Sequence, residues 1–177
     1  FSAIRLGDGE GRILLYPDGI KRKMLDRHLR FWFGRCDYSP EILTWIKDRL
    51  LLSVRYADAV GFYHGDGRNR FWRAAREYPL PLRDNVIKCE NKLHRQLWDS
   101  GLLQDIIDVA GKIVMVTCRA GIVFSKHDCV TIPVPEEANT GRKATNHLER
   151  YPAIAQKIRW ESRPGVLVLV GAGGLGK

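Results

Sequence analysis

The chain has 177 residues, of which 45% are hydrophobic and 28% charged, with a net charge of +9. That length fits one domain with a real core, and the balance excludes a disordered or fibrous chain. No apolar run approaches the roughly 20 residues of a membrane helix, and the positive charge predicts attraction to anions without choosing among them.

Residues 3–6 form a short apolar run that reads as a strand. It breaks into Gly7-Asp8-Gly9-Glu10-Gly11, a loop with three glycines and two carboxylates. Asp8 and Glu10 are two apart, so extended or turning backbone aims both at one point. The glycines let that backbone bend. Two hard oxygen donors on a tight loop suit Mg²⁺ or Mn²⁺, which take carboxylates together with substrate phosphates. The plainer alternative is a surface turn with solvated acids. Arg5 either holds a phosphate or pairs with one of the carboxylates.

Further on, residues 12–16 read as a short helix or turn, and Pro17-Asp18-Gly19 as a turn. Residues 23–33 are helical, with Leu25, Leu29 and Trp32 on one face. Ser39-Pro40-Glu41 opens another helix, running to about Tyr56: a capping hydroxyl, proline first, then an acid. Residues 58–62 are a second strand, followed by a loop carrying His64 and Gly65-Asp66-Gly67. His64 is either a substrate contact or base, or a plain loop histidine.

Residues 69–78 read as a helix, stopped by Pro79 and Pro81. Its Arg68, Arg70, Arg73 and Arg76, with Phe71 and Trp72 between, resemble a single-strand nucleic-acid patch. A solvated basic face with both aromatics in the core is the favoured reading, and nucleic acid is not expected as a partner. A peripheral membrane or acceptor contact stands between the two. Residues 91–100 and 102–109 are helical, closed by Gly101 and Gly111.

Residues 112–117 are a strand of unbroken apolar character, leading to Gly121. Residues 129–134 are another, running into Glu136 and Glu137, of which Glu136 is a candidate substrate contact. Residues 138–146 look like a loop, and 147–160 an amphipathic helix with Leu148, Tyr151, Ala155 and Ile158 on one face. Residues 166–170 are the most hydrophobic strand, entering the glycine-rich tail 171–177.

Strands and helices alternate, and the strands are nearly continuous in apolar character. This predicts an α/β, Rossmann-like fold: a mostly parallel sheet with helices on both faces. Ligands bind such sheets beyond the carboxyl ends of the strands. Four strands are followed by glycine-bearing loops, and parallel pairing would gather them on one edge.

The tail Gly171-Ala172-Gly173-Gly174-Leu175-Gly176-Lys177 fits the first seven positions of a Walker A loop, whose backbone N–H groups cradle phosphates. Its place after the last strand is unusual for a nucleoside-triphosphatase. The preferred reading is a glycine-rich turn beside a nucleotide, with Gly171, Gly173, Gly174 and Lys177 as candidate contacts. Tight packing of a helix on a strand is a third reading. The four cysteines form no CxxC pair and read as free thiols of a cytoplasmic protein. The start at Phe1 and the stop inside a glycine loop read as a piece of a longer chain, with segments missing at both ends.

The first loop, Arg5-Leu6-Gly7-Asp8-Gly9-Glu10, resembles the bacterial glycosyltransferases of the GT-D fold, whose hallmark is this run at the end of the first strand. The likeness extends loosely to residues 132–136, 147–152 and 165–177, so that a single GT-D-like domain would cover 1–177. It implies that Asp8 and Glu10 form the Asp-x-Glu motif, which binds a divalent metal holding the diphosphate of a UDP-sugar. It also implies transfer of that sugar to a glycan or other hydroxyl, with Arg5, Gly7 and Gly9 beside the nucleotide-sugar. A P-loop nucleotide-binding module and a non-catalytic nucleic-acid binder are the alternatives.

Overall fold

The computed structural model describes residues 1–33, 38–62, 70–119, 121, 124, 126–134 and 147–171. The side chains of Asp8, Phe31, Trp32, Phe33, Arg70, Trp72 and His147 lie outside that description. The chain divides into two compact units, one from residues 1–29 and 36–97, the other from 30–35 and 98–176.

In the first unit, β1 (Ala3–Arg5), β2 (Ala59–Phe62) and β3 (Ile87–Glu90) form a parallel sheet in that order. Central β2 is buried throughout, as a strand covered on both faces must be. The unit also holds α1 (Asp8–Leu14), α3 (Pro40–Tyr56) and α4 (Arg70–Glu77), with α1 packed on α3 and α4 and α4 on β2, while α2 (Arg22–Phe33) and α5 (Leu93–Asp99) each cross the division between the units. Helix α3 starts as its sequence dictates: the Ile42 N–H donates to Ser39 Oγ at 3.4 Å, and Pro40 follows the cap. The Ser39 hydroxyl, with the local backbone, holds the Glu41 carboxyl below its ordinary range. Leu50 and Val54 of α3 join Leu6, Leu14, Val60 and Phe62 in the core of this unit.

Strand β3 was not expected from the sequence. Ile-Lys-Cys-Glu has no apolar run, its apolar–polar alternation spans only four residues, and its side chains are exposed or half-buried. Its backbone pairs with β2 from Ala59↔Ile87 to Phe62↔Glu90, so hydrogen bonding to a neighbour, not local pattern, makes it a strand.

In the second unit, β4 (Lys112–Thr117) lies between β5 (Asp128–Pro133) and β6 (Val166–Gly171), all parallel. Ile113 and Met115 pack with Ile107 of α6 (Leu102–Asp108), while Val114 and Val116 pack with Ile154 of α7 (His147–Glu161). Helices therefore cover both faces of this sheet, which explains the unbroken apolar run of β4.

The α/β class and the parallel pairing are as expected. The strands do not form one sheet: among the described residues they hydrogen-bond in two sets of three. Strand pairing is a non-local choice that the apolar pattern of a single strand does not encode. No described helix is long and apolar enough to cross a membrane.

Candidate functional site

The first sheet's carboxyl edge holds the Arg5-to-Glu10 segment. Arg5 ends β1 and is exposed, and Leu6, fully buried, extends the ladder by donating its N–H to the Gly61 carbonyl at 2.9 Å. Gly7 is extended and caps α1. Asp8, Gly9 and Glu10 then occupy the first three helical positions.

The expected open loop at 7–11 is therefore corrected to a helical turn. The physical reason is in the side chain of Glu10. Its Oε2 accepts the Gly7 N–H at 2.6 Å, which satisfies one of the donors a helix start leaves orphaned. Glu10 is only 2% exposed, and the partial positive end of α1 favours its charge there. Gly7 has no side chain to return the bond, so this is half of a capping box, held by Glu10 alone.

This changes what the spacing means. Side chains two apart share a side on extended backbone but not on a helix. The convergence expected of Asp8 and Glu10 rested on the former, and the backbone takes the latter. The Asp8 side chain lies outside the described residues.

Gly11 serves an end other than bending. A Cβ there would collide with the Phe71 backbone carbonyl, so the missing side chain is what lets α1 and α4 approach. Arg12 lies across the joint, its guanidinium 4.1 Å from the Phe71 ring centroid. The Phe71 ring is buried, while Arg73 and Arg76 are exposed and paired with Glu77 at 3.9 and 3.4 Å. Phe71, Arg73 and Arg76 fit the solvated basic face with core aromatics read from the sequence, while Arg68 and the side chains of Arg70 and Trp72 lie outside the described residues.

Two further features of this edge escaped sequence reasoning. Asn91, just past β3, is a buried polar residue whose N–H donates to the Phe62 carbonyl at 2.8 Å. Gly61 faces it, and a Cβ at Gly61 would stand 2.8 Å from the Glu90 carbonyl oxygen and 3.0 Å from Asn91 Cα. The Gly7-to-Glu10 cap spacing was legible as a helix start; Asn91 carried no local signal.

The sheet's opposite, amino edge is tied by ionic contacts. Arg83 donates to Asp58 Oδ1 at 2.7 Å and to the Ala57 carbonyl at 2.9 Å, and the Ser2 N–H donates to Asp58 Oδ2 at 2.6 Å. Arg83 first, then Ser2, hold the Asp58 carboxyl below its ordinary range.

Of the remaining predicted residues, Gly7 and Gly9 are buried in the α1 turn. Gly171 is the exposed last residue of β6 in the second unit, paired with Thr117. His64, Glu136, Gly173, Gly174 and Lys177 lie outside the described residues. Among the described residues, no group of three or more His, Cys, Asp or Glu is placed to hold a metal ion. Cys89, Cys118 and Cys129 are free thiols, and burial pushes the Cys89 thiol up from its ordinary range. No family model matches the chain, nor does any curated protein or solved structure.

Proposed function

We propose that this chain is a metal-dependent glycosyltransferase moving a sugar from a nucleotide-diphosphate donor, UDP-linked, to a glycan or other hydroxyl acceptor. One observation carries the reading. At the carboxyl edge of a parallel sheet, where such folds take ligands, an arginine-ended strand turns through Gly7 into two acids.

Asp8 and Glu10 are the acids that would hold Mg²⁺ or Mn²⁺; because the helical turn does not put them on one side, they would reach the ion from different sides of that turn, with water and the diphosphate completing its shell. Their oxygens are the hard donors these ions take. Bound there, the metal would supply Lewis-acid stabilisation of the diphosphate as charge grows on it. The chain's own residues do the rest. Glu10 fixes the turn through its bond to Gly7, and Arg5 offers charge-assisted hydrogen bonds to the phosphates from the end of β1. Gly7 and Gly9 keep the turn free of side chains beside the donor.

Calorimetric titration of UDP with and without Mn²⁺ tests this. Mn²⁺ raises UDP affinity, Asp8→Asn removes that rise, and Arg5→Ala weakens UDP binding in both conditions. UDP affinity indifferent to Mn²⁺, or to Asp8→Asn, overturns the assignment.

A further inference from the structure

Helix α6 and its C-cap, Leu-Leu-Gln-Asp-Ile-Ile-Asp-Val, carry two apolar rows. Leu103 and Ile107, with Ala110 just beyond, form the inner row against Ile113, Met115 and Leu167. Leu102, Ile106 and Val109 recur at i, i+4 and i+7 on another side, and they are 52%, 40% and 84% exposed. Trp98, four residues before Leu102, is 66% exposed. The two rows are offset by one residue, about 100° around the helix. The outer one therefore extends the apolar side of α6 past the part packed on Ile113, Met115 and Leu167, and a row of large exposed apolar side chains marks an interaction surface.

The charges beside this row select its partner. Asp105 and Asp108 are exposed, and no basic residue stands in the last turn of α6. The carbonyl end of the helix adds partial negative charge where Asp108 sits. Gln104 Nε2 donates to Asp108 Oδ1 at 2.8 Å, which fixes the carboxylate without neutralising it. In a chain of net charge +9, this is a local acidic, apolar face. Acids repel anionic lipid and nucleic-acid phosphate alike.

We propose that the Leu102–Ile106–Val109 face docks an amphipathic helix of another protein, with an apolar row seated on these residues and Lys or Arg beside Asp105 and Asp108. The recognition is helix against helix, i and i+4 rows interlocking, with the flanking charges setting orientation. It lies in the second unit and stands apart from sugar transfer.

The test uses the full chain and a labelled synthetic peptide with leucines at helical spacing and lysines flanking them. A twin carries glutamates in place of the lysines. Anisotropy titration finds binding of the lysine peptide, weakened by salt, and none of the glutamate twin. Leu102→Ser with Val109→Ser weakens binding about tenfold. Asp105→Asn with Asp108→Asn weakens it by a few-fold and flattens the salt dependence. An unchanged circular-dichroism melt shows that both variants fold. The proposal is overturned if neither peptide binds, if both bind alike, or if the variants bind as the parent does. Concentration-dependent self-association abolished by Leu102→Ser with Val109→Ser, or binding to phosphatidylserine vesicles lost in that variant, also overturns it.

Discussion

Replacing Gly11 with alanine should destabilise the first unit, against the usual expectation for a glycine inside a helix. In an exposed helix interior, Gly→Ala stabilises by about 1 kcal/mol. Here the new methyl would run into the Phe71 carbonyl, with Phe71 Cα 3.2 Å away. Both are backbone atoms, so no rotamer change relieves the clash and α1 must move away from α4. Overpacking of this kind costs about 1–3 kcal/mol, and a backbone obstacle puts it at the upper end. Subtracting the helix gain leaves a net loss of about 2 kcal/mol. For a chain of this size that lowers the melting temperature by about 4–8 °C. Urea unfolding followed by circular dichroism reads the shift as a lower midpoint at unchanged slope. Because α1 carries the Gly7–Glu10 bond, amide exchange at Gly7 should also quicken. A Gly11→Ala variant as stable as the parent, or more so, would refute the close approach of the two helices.

Other substitutions separate structural from chemical roles. Glu10→Ala leaves the Gly7 N–H without its acceptor and costs about 1–2 kcal/mol, while Glu10→Gln keeps an acceptor and costs less, which thermal melts distinguish. If Glu10 also holds the metal, Glu10→Gln loses Mn²⁺-enhanced UDP binding while its melt stays close to the parent's. Gly101 adopts φ +80° with open space around it, so Gly101→Ala meets strain alone and costs about 1 kcal/mol by urea midpoint. Asp58 is depressed in the folded chain, so its stabilisation is present above the ordinary carboxylate range and is lost as pH falls through the depressed value. Asp58→Asn should therefore lower stability at neutral pH and flatten the acid limb of a melting-temperature profile. A parallel acid limb in the variant would show that the Arg83 and Ser2 contacts contribute nothing.

How much was legible follows from how local each signal is. The Ser39-Pro40-Glu41 start of α3 is written in adjacent residues and appears as read. So does β4, because burial on both faces demands an unbroken apolar run wherever the strand sits. Strand β3 went unread because its Ile-Lys-Cys-Glu alternation is only four residues long and none of its side chains is buried, so pairing with β2 is what marks it as a strand. The first glycine loop was misread for a related reason. Three glycines suggest bending, yet one caps a helix and another admits α4, and the second role depends on a chain segment sixty residues away.

Sequence by itself determined the α/β class, the parallel strands and the pairing of an arginine with two acids after the first strand, since periodicity and composition act within a few residues. Only the tertiary structure decided that the strands divide into two sheets, that Gly11 admits the close approach of α4, and that α6 exposes a second apolar row. Each of those depends on which distant backbone or side chain arrives as a neighbour, and local pattern carries no record of that choice.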